Sequence, residues 1–177
     1  LHNSIQGDPT TFLYECDNNG EVYFDLILIE YILKNNHTVI ISTKSQPILN
    51  DVTYSDLESI LKTPPLTHLN EYIQNKSLQF ISSGSQDAIS LRHCMNSDYI
   101  NAYTKCKYVI LKGQGHFESY PLINRFKKPT NKIAYRAYHY YLFGLKSSFT
   151  QHSLDLLGHN LAPQSCVLAG QNDFYCY

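Results

Sequence analysis

The chain has 177 residues, of which 43% are hydrophobic and 16% are charged, and its formal net charge is −1. This length and composition favour one globular domain with a substantial core, so we expect residues 1–177 to form a single domain. The charge balance argues against a nucleic-acid-binding protein, because binding to the phosphate backbone needs a concentrated basic face.

Short apolar runs alternate with helical patterns along the chain. This alternation predicts an α/β fold, a three-layer α/β/α sandwich around a mostly parallel, Rossmann-like sheet. In chain order, strands are predicted at residues 11–15, 38–42, 78–82, 108–111, 132–136 and 166–169. Helices are predicted at residues 21–34, 54–62, 96–105 and 149–157.

Two apolar segments carry more specific packing predictions. In the first helix, apolar residues recur at the helical spacing 24, 28, 31 and 32, with further apolar residues around them, and we expect this helix to pack on the sheet. The aromatic segment at residues 135–143 has no basic residues interleaved through it. We therefore expect it to pack in the core or at an interface rather than to stack on bases.

Cysteine usage and hydropathy indicate a cytoplasmic protein. The five cysteines form no CxxC pair, which argues against a disulfide framework or a zinc site. The longest apolar stretch, residues 24–33, is broken by Asp25 and Glu30 and is far shorter than a bilayer span. The first ten residues lack the basic and apolar regions of a secretory signal. We expect reduced thiols, no membrane helix and a cytoplasmic location.

A polar cluster follows each of the first four predicted strands, at residues 16–21, 44–51, 82–87 and 112–118. The carboxyl ends of parallel strands meet at one edge of a sheet, and ligands of open α/β folds bind in the crevice there. We therefore expect six side chains to converge at this edge: Asp17, Asn18, Asn50, Asp51, Ser83 and Lys112.

The acidic members of these clusters predict a metal site. Asp17 and Asp51 are oxygen donors without companion histidines or cysteines, which favours a hard cation such as magnesium or manganese. Asn18 can add an amide oxygen. The alternative is that Asp17 and Asn18 cap a helix, and that Asn50 and Asp51 form a turn and a cap.

The stretch KGQG, residues 112–115, directly follows the fourth strand. Gly113 and Gly115 let backbone N–H groups approach a phosphate closely, and the Lys112 ammonium is a point charge suited to phosphate. The alternative is a strand-ending turn with a solvated lysine. His116 could bind or carry protons, but a histidine in a polar loop is expected to face solvent.

Other signatures are missing. The sequence has no GxxxxGK[ST] loop, no GxGxxG fingerprint and no GxSxG elbow. Nucleotide binding and a serine-nucleophile mechanism are therefore not supported.

Four segments together resemble a known family: CDNNGEVYFDLILIEYIL, QPILNDVTYSDLE, SSGS and VILKGQGHFE. Their order and spacing resemble the metal-dependent damage-control phosphatases, formerly domain of unknown function 89, and most of all the stand-alone microbial-type branch. The likeness covers about residues 11–170. It implies hydrolysis of phosphomonoesters of small metabolites, including sugar phosphates and damaged metabolites, with a divalent cation: magnesium or manganese, or else cobalt or nickel. It also implies Asp17, Asn18 and Asp51 as metal ligands and Asn50 and Lys112 as phosphate contacts.

The chain departs from the family pattern at several points. His116 stands where the family usually has Asn, Asn19 where it has Ala, and residues 88–90 where it has Pro-Gly. The family's N-terminal helical region has no counterpart here, so the likeness is to the catalytic α/β part alone. That helical region is a candidate partner.

Two functions remain open at this stage. The first is a metal-dependent phosphatase, in which either a metal-activated water or Asp17 attacks the phosphoryl group; the water is favoured. The second is a catalytically reduced module that binds metal and phosphate for regulation. A methyltransferase acting on protein carboxylates has little support, because no glycine-rich loop follows the first strand.

Overall fold

A six-stranded sheet forms the centre of the protein. The computed structural model describes residues 1–86, 94–117, 137–144 and 166–170. The strands are β1 Thr11–Glu15, β2 Thr38–Thr43, β3 Leu78–Ser82, β4 Tyr108–Lys112, β5 Tyr138–Gly144 and β6 Cys166–Gly170. Their order across the sheet is β3-β2-β1-β4-β5-β6. All neighbours pair in parallel except β5 and β6, which are antiparallel.

Helices pack on both faces of this sheet. They are α1 His2–Ile5, α2 Val22–Lys34, α3 Tyr54–Leu61, α4 Asn70–Gln74 and α5 Ser97–Lys105. Alternate residues of a strand point to opposite faces. Phe12 and Tyr14 therefore join the core that includes α2 and α3, whereas Leu13 joins the core that includes α5. The predicted α/β/α sandwich is confirmed.

Five of the six predicted strands are confirmed within two residues, as are the first three predicted helices. The predicted strand at 132–136 and the predicted helix at 149–157 lie outside the described residues. β5 lies within and just beyond the aromatic segment 135–143, and its Tyr140, Tyr141 and Phe143 are buried. Core packing of that segment is therefore confirmed for these residues. The sequence reading missed the short helices α1 and α4.

The prediction that α2 packs on the sheet is confirmed, but two of the four recurring apolar positions face away from it. Phe24 is 74% exposed and Tyr31 is 42% exposed. The buried side carries Val22, Asp25, Leu26, Ile29, Ile32 and Leu33, and Leu28 packs against this core partly buried. The Asp25 carboxylate accepts a hydrogen bond from the Tyr14 hydroxyl of β1 at 2.9 Å. A buried carboxylate needs such partners. The helix therefore turns Asp25 towards the sheet, and this orientation leaves Phe24 at the surface.

None of the helices within the described ranges is long and apolar enough to cross a membrane.

The orientation of α2 can be tested by two substitutions on opposite sides of the helix. Leu26→Ala should lower the free energy of unfolding by about 2–5 kcal/mol, because it removes buried methyl groups and leaves a cavity. Phe24→Ala should change it by less than about 0.5 kcal/mol, because the side chain is mostly in solvent. Urea denaturation measures both values. A larger loss from Phe24→Ala than from Leu26→Ala would contradict the assigned face.

Candidate active site

The strand order reverses next to β1. β2 and β3 extend the sheet on one side of β1, and β4 and β5 extend it on the other. In open α/β sheets such a reversal opens a crevice at the carboxyl ends of the strands, where ligands bind. The loop after β1 and the loop after β4, which starts at Gly113, border this crevice.

The loop after β1 is joined to the loop that precedes α3. Val52 N–H donates to the Asp17 carbonyl oxygen at 2.8 Å, and Asn19 N–H donates to the Asn50 carbonyl oxygen at 2.8 Å. Asn18 and Asp51 form an isolated antiparallel bridge. The structure therefore brings Asp17, Asn18 and Asp51 together on two joined loops, although their role as ligands stays a prediction.

Helix capping does not account for these residues. Asn18 precedes the 3-10 turn Asn19–Glu21 without a side-chain capping bond. Its amide nitrogen instead donates to Asp17 Oδ2 at 3.2 Å and to Glu21 Oε1 at 2.7 Å. The cap of α3 is Thr53, which forms a capping box with Asp56. Asn18 therefore occupies a cap position without making a capping bond, and neither Asn50 nor Asp51 caps α3.

The alternative that Asn50 and Asp51 form a turn is correct. Asp51 N–H donates to the Ile48 carbonyl oxygen at 3.0 Å, which closes a turn that includes Asn50.

Gly113 lies directly against the Asp17 carboxylate. A Cβ added to Gly113 would lie 2.0 Å from Asp17 Oδ2, and the backbone φ is +83°. Only glycine combines this conformation with so close an approach. The contact joins the β4 side of the crevice to the β1 side. Gly115 differs, since a Cβ there would meet nothing within 4 Å.

Lys112 is paired with two carboxylates. Its Nζ lies 3.0 Å from Asp25 Oδ1 and 3.4 Å from Glu21 Oε2, and its side chain is 12% exposed. Burial disfavours the ammonium, but the Asp25 and Glu21 carboxylates together outweigh burial and raise the pKa of Lys112. The lysine is thus charged and mostly buried, and the solvated-turn alternative is wrong.

Asp25 is the main partner of Lys112. Burial raises the pKa of Asp25, and the neighbouring Lys112 opposes the rise. Asp25 Oδ1 serves both Lys112 and Tyr14, whereas the buried Oδ2 has no hydrogen-bond partner among the residues that the structure describes.

A second buried lysine faces the acidic loops. Lys44, the residue after β2, has a side chain only 5% exposed, and its Nζ lies 3.7 Å from Asp51 Oδ2. Burial raises the pKa of Asp51, while Lys44 and, more weakly, His116 oppose the rise. Positive charge therefore approaches the crevice from β2 as well as from β4.

His116 does not face solvent, so that expectation is wrong. Residues 114–117 are helical, and this turn directs the imidazole back to the strand ends. His116 Nε2 lies 3.2 Å from Glu15 Oε2, and Nδ1 donates to the Lys112 carbonyl oxygen. Burial disfavours the imidazolium, but Glu15 and the hydrogen bond to the Lys112 carbonyl together outweigh burial and raise the pKa of His116.

Ser83 lies at the same edge but farther from β4. Its N–H donates to the Thr43 carbonyl oxygen at 2.8 Å, and its Oγ accepts from Ser85 N–H at 3.2 Å. Because β2 and β1 separate β3 from β4, Ser83 and Lys112 are not brought into one cluster by these strands.

The residues present fit a hard divalent cation. Two carboxylates, Asp17 and Asp51, and the Asn18 amide oxygen match the preference of magnesium and manganese for oxygen ligands. A cation there would offset the burial that raises the pKa of Asp51. The described part of the chain holds no group of three or more His, Cys, Asp or Glu side chains placed to bind a metal. The site would therefore depend on Asn18 and on water or substrate oxygens.

The sequence matches the damage-control phosphatase ARMT1-like domain over residues 3–155. The chain belongs to this family. It is 37% identical over 113 residues to damage-control phosphatase PH1575 of Pyrococcus horikoshii, an alignment that covers 63% of the chain and 35% of that protein. It is 32% identical over 108 residues to the uncharacterized protein MJ0202 of Methanocaldococcus jannaschii, covering 60% of the chain and 31% of that protein.

The fold is similar to the crystal structure of PH1575, described as a DUF89 family protein. The TM-score is 0.64 at 26% identity, and the match covers 93% of this chain and 48% of that one. The chain therefore spans about a third to a half of the length of these relatives of the family.

Sequence reasoning missed three groups of this family member's site. Asp25 interrupts an apolar run on the buried side of α2, which signals a buried charge that needs a partner. Lys44 directly follows β2 as Gly113 follows β4. Glu15 ends β1, one residue before the first polar cluster, and looked like part of the strand.

The contact between Gly113 and Asp17 predicts opposite effects of alanine at two nearby glycines. Gly113→Ala should lower the free energy of unfolding by more than about 1 kcal/mol, because an L residue is strained at positive φ. It should also weaken Mn²⁺ binding by displacing Asp17. Gly115→Ala should be neutral or stabilising by up to about 1 kcal/mol, with unchanged Mn²⁺ affinity. Thermal denaturation and titration calorimetry measure both; similar losses in the two variants would count against the contact.

Proposed function

We propose that this domain hydrolyses phosphomonoesters of small metabolites, such as sugar phosphates or damaged phosphorylated metabolites, with a divalent cation. The observation that carries the proposal is the contact between Gly113 and Asp17. The contact lies between the predicted phosphate loop and Asp17, one of the predicted metal ligands. Membership of a damage-control phosphatase family supports the reaction class.

In this proposal Asp17, Asn18 and Asp51 hold the cation, magnesium or manganese first and cobalt or nickel as alternatives. When bound, such a cation neutralises phosphoryl oxygens and lowers the pKa of a bound water. Backbone hydrogen bonds join the loops that carry Asp17 and Asp51, which fixes the backbone positions of the two residues. We favour water as the nucleophile because Asp17 Oδ2 accepts from Asn18 and abuts Gly113.

Lys112 binds the phosphoryl group in this proposal. An ammonium has three N–H donors; Asp25 and Glu21 accept from two directions and so orient Lys112, and a phosphoryl oxygen takes the third. The loose transition state of phosphoryl transfer spreads charge over its oxygens, where fixed donors are most effective. The side chain of Asn50 and the N–H groups of Gly113 and Gly115 add further donors. Ser83 is the weakest member of the proposed phosphate-binding set because of its distance along the sheet.

The wider assignments belong to the same proposal. The ligand is a small phosphorylated metabolite, without nucleic acid or membrane. A cytoplasmic location is supported by three free cysteines among the described residues, Cys16, Cys94 and Cys106. Residues 1–177 act as one catalytic α/β domain, and the family's N-terminal helical region is its candidate partner.

A second candidate is a module that binds metal and phosphate without turnover. It is favoured by the departures of the sequence from the family pattern at Asn19, at residues 88–90 and at His116.

Release of inorganic phosphate separates the two candidates. The protein is incubated with a panel of sugar phosphates and other phosphometabolites, with Mg²⁺, Mn²⁺, Co²⁺ or Ni²⁺ in turn. We expect turnover with at least one pair and its loss on adding a chelator. Phosphate binding with metal but without turnover on any substrate would instead support the binding module.

Lys112 offers a sharper test of mechanism because its removal has a matched control. Lys112→Met should lower kcat about a hundredfold, or about 3 kcal/mol, and should also destabilise the fold by about 3–5 kcal/mol by leaving Asp25 buried without its counter-ion. The double variant Lys112→Met/Asp25→Asn should recover most of the stability but none of the activity. Recovery of kcat in the double variant would show that Lys112 acts on the fold alone.

A further inference from the structure

We propose that Glu15 and His116 form a bridge across the crevice that sets the position of the KGQG loop against the metal-ligand loops. Both are positioning residues, and the proposal rests on the proposed phosphatase function. The sequence pattern assigned no role to Glu15 and offered only binding or proton transfer for His116, which is one of the points where the chain departs from the family.

The need for a bridge arises where β1 and β4 part. Their parallel pairing ends with Glu15 opposite Leu111. Just beyond, Cys16 N–H donates to the Ser42 carbonyl oxygen of β2 at 3.1 Å, whereas Gly113 N–H donates to the Leu142 carbonyl oxygen of β5 at 3.0 Å. The two main chains thus turn to opposite sides, and the crevice opens between them.

The His116 imidazole spans this opening. Its Nε2 lies 3.2 Å from Glu15 Oε2 on the β1 side, and its Nδ1 donates to the Lys112 carbonyl oxygen on the β4 side. The two nitrogens belong to one rigid ring, so both contacts hold only at one separation of the strand ends. His116 and Glu15 are both buried, where hydrogen bonds are less weakened by water.

Glu15 is itself anchored from a third element. The Tyr99 hydroxyl of α5 donates to Glu15 Oε1, and Tyr99 is fully buried. Each oxygen of the carboxylate therefore has a partner. An apolar pair at these positions would avoid the cost of burying charge, so we attribute the ion pair to geometric control of the strand ends.

The bridge acts on the site through adjacent residues. Lys112 directly precedes Gly113, and Glu15 lies two residues before Asp17. Gly113 and Asp17 are in close contact, since a Cβ added to Gly113 would lie 2.0 Å from Asp17 Oδ2. Mn²⁺ needs only the β1 and β2 side of the crevice, whereas phosphate bound with Mn²⁺ needs both sides. Loss of the bridge should therefore weaken phosphate binding and leave Mn²⁺ binding intact.

Two substitutions of His116 remove one contact each. His116→Asn keeps a donor near the Nδ1 position, facing Lys112, and loses the contact with Glu15. His116→Gln keeps an amide near the Nε2 position, facing Glu15, and loses the donor to Lys112. If either His116 variant fails to fold, Glu15→Gln, at the other end of the bridge, is tested in its place.

His37→Asn is the matched control. His37 is also buried, with its Nε2 bonded to the Ile5 carbonyl oxygen and its Nδ1 accepting from Thr10 N–H. It precedes β2 at the opposite edge of the sheet. This variant should lose stability without changing either ligand affinity.

Calorimetry with Mn²⁺ alone, and with inorganic phosphate at saturating Mn²⁺, gives the first readout. We expect both His116 variants to raise the phosphate dissociation constant about tenfold, the effect of displacing one charge-assisted contact. The Mn²⁺ dissociation constant should change less than about twofold. Unchanged phosphate affinity, or equal weakening of Mn²⁺ and phosphate, overturns the proposal.

Hydrogen exchange of the amides at residues 113–115 gives a readout that needs no ligand. Exchange should be faster in both His116 variants than in the wild type and in His37→Asn. If wild-type protein binds no phosphate, the proposed function fails, and exchange alone decides whether the bridge exists. Unchanged exchange overturns the bridge, and faster exchange with wild-type phosphate affinity overturns its positioning role.

Discussion

The buried ion pair between Asp25 and Lys112 connects the packing of the protein with its site. Lys112 ends β4, Asp25 lies on α2, and Tyr14 of β1 donates to the same carboxylate oxygen. Three elements therefore meet at one acceptor atom. Because an uncompensated buried charge is costly, this pair restricts how α2 can rotate on the sheet. The helix turns Asp25 inward, and in doing so it leaves the apolar side chains of Phe24 and Ile27 exposed.

The same constraint explains where sequence reasoning succeeded and failed. Strands such as residues 38–42 are short apolar runs between polar clusters, and the alternation of such runs with helical segments predicts the sheet without any tertiary information. The face of α2 could not be predicted in this way, because apolar residues occur on both sides of the helix. Its rotation depends on a partner, Lys112, that lies 87 positions away in the sequence.

The site shows a similar division. Polar residues at the carboxyl ends of parallel strands predict a common edge, and the structure places Asp17, Asp51 and Gly113 together there. The burial of His116 depends on the turn of helix after Gly113, which directs the imidazole inward. Loop composition alone favours a solvent-facing histidine, so this contact needed three-dimensional information. Ser83 also lies at the carboxyl end of a strand, but its strand β3 is two strands away from β1, which carries Asp17 at its end. The strand pattern predicts the edge of the sheet and not the distance along that edge.

The charges at this edge support the proposal that a cation binds before an anion. Among the described residues that meet there, five carboxylates, those of Glu15, Asp17, Glu21, Asp25 and Asp51, face three basic side chains, Lys44, Lys112 and His116. With all eight groups ionised, the edge has an excess of two negative charges, which repels a phosphate. A divalent cation between Asp17 and Asp51 would cancel that excess. The lysines, until then engaged by carboxylates, could then share their donors with phosphoryl oxygens. The charge balance of the chain itself thus supports the proposal that phosphate binding depends on metal.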